Sequence, residues 1–225
     1  MSIILSSSSF CFSSPMCIRT EEAAKQALII PFLQVLGYDT SNPLEVRPEY
    51  SADFNRAQEK VDYAIFRDSK VIMLIEAKPA KDDLATHDDQ LSKYFNANPD
   101  AKFCIITNGL KYRFYSDLTS LNLIEKTLFL KFNFEIIKDN DTEILKGFCR
   151  YEFDAEKLLS MAQELTYSSK IKPLIIKLLK NPSDELIGLL VKQIDPKARL
   201  SVERQTEIQS NCRLFSATFN NITAR

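Results

Sequence analysis

The chain predicts a mixed α/β sheet flanked by helices and followed by an all-helical C-terminal extension. Three observations carry that expectation. Two apolar runs, KVDYAIF and VIMLIEAK, are joined by a short polar turn and predict adjoining strands. Helical patterns lie before this pair and between it and the later strand runs KFCIIT and KYRFY. From about residue 141 onward only helical patterns remain.

The elements follow in order. Thr20 suits an N-cap, with Glu21 and Glu22 in a first turn where the helix dipole favours acids. That helix runs to Gly37, and Pro31 inside it predicts a kink or a split. Residues 39–59 are polar and irregular, with a short extended piece at 44–47. Strands are predicted at 60–67 and 70–78, turning through Arg67, Asp68, Ser69 and Lys70. Val61, Tyr63 and Ile65 are placed on one face, with Ala64, Phe66, Ile72 and Leu74 on the other, so the sheet should be covered on both sides. A helix is predicted at 84–97, strands at 102–107 and 111–115 around an Asn108-Gly109 turn, and a further strand near 127–133. Helices are then expected near 141–149, 154–167, 168–180, 183–194 and 197–220, with Pro173, Pro182 and Pro196 at their boundaries.

Composition narrows the function classes. The 225 residues suffice for one domain plus a helical extension, and 45% hydrophobic with 26% charged residues is ordinary for a globular protein. A net charge of −1 makes the chain no polycation, so any nucleic-acid contact must come from a local basic strip and a metal. No apolar run is long enough to cross a bilayer. Cys11, Cys17, Cys104, Cys149 and Cys212 are scattered and odd in number, which fits reduced thiols in a cytoplasmic protein. The single histidine, His87, leaves almost no material for histidine-based zinc sites or triads. Residues 1–19 are serine-rich and have no basic start. They are expected to be a disordered leader, or to lie upstream of a true start at Met16.

The chemistry concentrates at the end of VIMLIEAK. Strand side chains alternate, so Glu76 and Lys78 share a face and Ala77 takes the other. Charge at the end of an apolar strand is costly unless solvated, paired or used. Asp62, on the preceding strand, supplies a second acid. Two acids able to share a hard divalent cation, with a lysine beside them, suit metal-assisted phosphodiester cleavage. Register tests this. A regular two-residue loop would pair Asp62 with Ile75 and put it on the wrong face. The metal hypothesis therefore predicts an odd-length loop or a bulge in this hairpin. Both acids could then reach one Mg²⁺ at roughly 2.0–2.1 Å.

Other residues are open to two readings. Gln90 and Tyr94 share a helix face, where they contact a phosphate backbone or simply build an amphipathic helix. Lys111, Tyr112, Arg113 and Tyr115 form a basic, aromatic strand that either holds phosphates and stacks bases or is merely half exposed. Glu21 and Glu22 serve the helix dipole or the metal.

In order, TEEAAKQALIIPFLQVLGYD, EKVDYAIF, LIEAK, QLSKYFNA and ITNGLKYRFYSDL resemble the PD-(D/E)xK nuclease superfamily. The nearer resemblance is to the N-terminal nuclease domain of type I restriction enzyme R subunits and to stand-alone proteins like it. It covers about residues 20–118, and the helical tail is similar to that of the stand-alone members.

The resemblance implies a restriction-endonuclease-like fold and Mg²⁺-dependent DNA cleavage in defence against foreign DNA, with Mn²⁺ as a substitute ion. It makes Asp62, Glu76 and Lys78 the metal and catalytic residues. Glu21 fits the acid of the family's first helix, with Glu22 as the alternative. Gln90 and Tyr94 fit a QxxxY motif, and together with Lys111 and Arg113 they are the DNA-binding candidates. DNA and restriction-modification subunits are the implied partners, and no membrane is implied. The expected division is a leader over 1–19, a nuclease-like domain over 20–135 and a helical extension over 136–225. No Walker-type phosphate loop is present, so the chain as given has no means of DNA translocation. The alternative is a catalytically inactive module of the same fold that binds nucleic acid or a partner protein.

Overall fold

A computed structural model of the chain describes residues 18, 20–51, 60–87, 98–117, 126–197 and 201–223. The chain divides into two compact units, Met1–Thr166 and Tyr167–Arg225.

The first unit opens as predicted. The Thr20 hydroxyl accepts from the Ala23 N–H at 3.1 Å and starts α1 (Glu21–Ala24). The Pro31 kink takes the form of a π turn (Lys25–Ile29) that leads into α2 (Ile30–Val35). Proline lacks an N–H to bond the carbonyl four residues back. The chain widens instead, and Ile30 N–H bonds the Lys25 carbonyl. Gly37 ends the helix at φ +90°, a conformation that glycine tolerates.

Six strands follow: β1 (Val46–Ser51), β2 (Lys60–Arg67), β3 (Lys70–Ala77), β4 (Phe103–Thr107), β5 (Lys111–Asp117) and β6 (Lys126–Asn133). They lie in sequence order in one mixed sheet. All neighbouring pairs are antiparallel except β3 and β4, which are parallel. The stretch read as mostly irregular thus contains a full strand. Its Pro48 is tolerated because β1 lies at the sheet edge, where a missing N–H breaks no inner ladder.

The sheet is apolar on both faces, as expected. One face joins Tyr63, Ile65, Met73, Ile75 and Ala77 to Phe32 and Leu33 of α2, and to Ile144, Phe148 and Leu158 further along the chain. The other joins Val61, Ala64, Leu74, Cys104 and Ile106. Val61 and Ile72 sit on the sides opposite to those predicted; for Ile72 the cause is a register shift in the β2–β3 hairpin. Rings dominate the first core: Tyr112 stacks on Phe132 at 4.9 Å and meets Phe32 at 4.5 Å. Burying each such side chain contributes about 1.5–3 kcal/mol.

The predicted helix at 84–97 begins as a 3-10 turn, Leu84–His87. Residues 88–97, which include Gln90 and Tyr94, lie outside the described residues, as do residues 1–17. After β6 come α3 (Asp139–Lys146), α4 (Ala155–Lys180), α5 (Asp184–Ile194) and α6 (Val202–Thr223). The separate helices expected at 154–167 and 168–180 are one element, with Pro173 inside it. Pro173 is exposed, so water can serve the carbonyl that loses its helical partner. In the second unit, Ser183 caps α5, and Ile187 and Val191 of α5 and Cys212 of α6 are buried. None of the described helices is long and apolar enough to cross a membrane.

Candidate functional site

The β2–β3 hairpin turns through Asp68 and Ser69, both at positive φ (+51° and +64°). This two-residue turn alone would give the wrong parity. The register, however, shifts between Ile65 and Phe66: Phe66 pairs with Val71, but Ile65 pairs with Met73. Ile72 is the extra residue of a bulge, as the metal hypothesis required. The β2–β3 ladder ends at the Tyr63–Ile75 pair, one residue short of Asp62 and Glu76.

Asp62 reaches the backbone of the Glu76-Ala77-Lys78 triplet directly. Its Oδ2 accepts from the Ala77 N–H at 2.7 Å. Its Oδ1 is paired with the Lys25 ammonium. Lys25 also holds Glu21 Oε1 at 2.9 Å and lies 4.0 Å from Glu22. Burial works against the charge on Lys25, but hydrogen bonds to Asp62 and Glu21 outweigh it, so its pKa stands well above the ordinary 10.5. The Glu22 carboxylate accepts from Gln26 at 3.1 Å and is mostly exposed, whereas the Glu21 side chain is 39% exposed.

Glu76 and Lys78 form a second pair at 2.8 Å, both buried. Two tethers fix the chain after β3. The Lys78 N–H donates to the Thr107 carbonyl at 2.8 Å, and Asn108 Nδ2 donates to the Ala80 carbonyl at 3.0 Å. Asn108 Oδ1 also accepts from the Leu110 and Lys111 N–H groups. Asn108-Gly109 is therefore more than a tight turn, because it anchors the segment carrying Lys78. Gly109 is at φ +85°, and a Cβ there would lie 2.6 Å from Leu28 of the π turn. The turn, the N-terminal helix and the Lys78 segment are locked together.

The donor chemistry suits Mg²⁺, which is bound by carboxylate oxygens. Among the described residues no group of three or more His, Cys, Asp or Glu gathers at one point. An ion held by Asp62 and Glu76 would therefore complete its shell with water, as Mg²⁺ ordinarily does.

Lys111 and Arg113 line a cleft of about 710 Å³ together with Lys81, Lys131 and Lys138, and with the acids Asp82, Asp83 and Asp141. Arg113 donates to the Tyr115 hydroxyl at 2.5 Å and lies 5.6 Å from its ring. Tyr112 and Tyr115 are 1% and 2% exposed, so neither can stack on a base. Packing on both faces of the sheet removes the aromatic half of that expectation and leaves the cationic half.

Sequence reasoning missed Lys25 and the tether from Asn108. The first had a signal, since Lys25 stands four residues after Glu21 on a helix. The second had none, because Ala80 is 28 residues away.

Residues 20–125 match the family model described as type I restriction enzyme R protein N terminus. Among solved structures, a fragment described as an HsdR subunit of a type I restriction enzyme from Vibrio vulnificus YJ016 is similar at 23% identity. The match covers 55% of this chain and 27% of that one, with a TM-score of 0.39. No curated protein matches the chain.

Proposed function

We propose that the chain, whose residues 20–125 match the model of the type I restriction enzyme R protein N-terminal family, hydrolyses DNA phosphodiester bonds with a divalent cation, in defence against foreign DNA. The observation that carries this reading is the bulge at Ile72 together with the 2.7 Å bond from Asp62 to the Ala77 N–H. Both bring the first acid to the Glu76-Ala77-Lys78 triplet.

In this reading the six-stranded sheet is a restriction-endonuclease-like fold. Residues 20–135 carry the chemistry and residues 136–225 extend them. Asp62 and Glu76 hold Mg²⁺, or Mn²⁺ in its place. When bound, the ion polarises a phosphoryl oxygen and lowers the pKa of a water. Lys78, held by Glu76, orients the attacking water or offsets charge on the phosphorane. Glu21 supports the metal side through Lys25. Lys111 and Arg113, with the other cations of their cleft, hold the DNA backbone as point charges. Gln90 and Tyr94 position it further. DNA is the substrate, and restriction-modification subunits are the protein partners.

One observation favours a second reading. Asp62 and Glu76 are each already neutralised by an internal lysine, as in an inactive module that keeps the fold and binds nucleic acid or a protein. Incubating the full chain with plasmid, linear duplex and single-stranded DNA, with Mn²⁺ and with EDTA, separates the two. Cleavage that needs the ion and is lost in Asp62→Ala supports the enzyme. DNA left intact in every arm supports the module.

A further inference from the structure

We infer that Lys25 is a displaceable internal counter-ion, holding the Asp62 oxygen that a divalent cation must take and so setting the affinity of the site for that cation. The inference deepens the metal-dependent reading and rests on it.

The geometry divides the Asp62 carboxylate. Oδ2 is fixed to the backbone of β3, whereas Oδ1 is held by a side chain that can move. Lys25 sits in a small cavity of about 210 Å³, whose lining includes Glu22, Glu49, Asp62 and Tyr63. Glu49 is paired with Lys60 at 2.9 Å, and Glu21 reaches Lys25 from one helical turn away. Glu21 and Asp62 thus share Lys25, while Glu49 is held by Lys60.

An ammonium brings one positive charge to the Asp62 oxygen and a divalent ion brings two, so the ion competes for it. The Lys25 side chain is 15% exposed, and its ammonium stands in for that ion. Lys25 has somewhere to go: Glu21 lies at i−4 and Glu22 at i−3 on the same helix, and both are more exposed than Asp62. On metal entry Lys25 keeps an acid partner and yields Oδ1. The π turn that begins at Lys25 is the kind of local widening that recurs at functional sites.

The competing charge makes a measurable claim. Mn²⁺ binding to the full chain, followed by the paramagnetic resonance of the free ion, compares wild type with Lys25→Met, Lys25→Arg and Asp62→Asn. Lys25→Met should bind Mn²⁺ about tenfold more tightly, since a like charge within a few ångströms is removed. Lys25→Arg should stay near wild type, and Asp62→Asn should lose binding. Equal or weaker affinity in Lys25→Met, with binding still lost in Asp62→Asn, overturns the counter-ion role and leaves the metal reading standing. No binding in wild type or in Lys25→Met overturns both.

A second readout needs no variant. Lysine acetylation mapped by mass spectrometry should label Lys25 several-fold faster at saturating Mn²⁺ than in EDTA. Labelling that the ion does not change removes the displacement on which the inference depends.

Discussion

Asp62 has its two oxygens on separate partners, one a backbone N–H and one the Lys25 ammonium, and this division frames the chemistry of single residues. Lys78 and Glu76 differ from it, because their pair is buried and mutual. Removing one member of such a pair leaves a partly uncompensated charge and costs about 3–5 kcal/mol, whereas replacing both with apolar or neutral groups is often close to neutral. Lys78→Ala should therefore lower the unfolding free energy by roughly 3 kcal/mol in urea titration while the circular dichroism spectrum stays native. Cleavage should fall by at least about 100-fold. The double variant Glu76→Gln, Lys78→Met should recover most of the stability and none of the cleavage. Recovery of both would show that the pair serves the fold alone.

At the scale of elements, two turns set the site. The hairpin turn places Asp68 and Ser69 in left-handed conformations that favour glycine. Ser69→Gly should raise stability by about 0.5 kcal/mol, read as a shift in the urea midpoint, with no change in cleavage. Gly109→Ala should act in the opposite sense. Positive φ is strained for alanine, and its Cβ would press on Leu28 at 2.6 Å. The combined loss should be about 2–4 kcal/mol. Cleavage should fall with it, because Asn108 tethers the Lys78 segment from the neighbouring position. A Gly109→Ala protein of native stability would mean that the N-terminal helix is not held as described.

Several ionisable groups of the first unit act together, which makes alkaline pH a test of the whole molecule. Burial pushes the Tyr63 phenol up to about 12, and those of Tyr38 and Tyr112 higher still. Tyr38 keeps its proton to donate to the Phe148 carbonyl at 3.0 Å. In the unfolded chain these phenols lose their protons near pH 10. Above that pH the folded state binds more protons than the unfolded state, so stability must fall as pH rises. Lys25, raised by its acid partners, acts with the same sign: its contribution is complete below its ordinary pKa and is lost above it. Melting temperatures should be insensitive to these groups up to about pH 9.5 and then drop steeply between about pH 10 and 12. Tyr63→Phe should make the drop shallower. A level profile across that window would contradict burial of neutral phenols.

What the sequence determined by itself was the local order. The period-two runs gave β2 and β3 nearly to the residue, Thr20 gave the helix start, Pro31 the break within that helix, and Asn108-Gly109 the later turn. The metal hypothesis required an irregularity in the hairpin, and Ile72 provides one. Those signals are short-range, carried by side-chain alternation and backbone preference within a few residues. The tertiary structure decided what depends on distant neighbours. It made β1 a strand by pairing it at the edge, and it kept α4 continuous through Pro173. It buried Tyr112 and Tyr115, and it set Lys25 on Asp62. Burial and ion pairing are properties of what packs alongside, and nothing in a residue's own stretch of chain states what that will be.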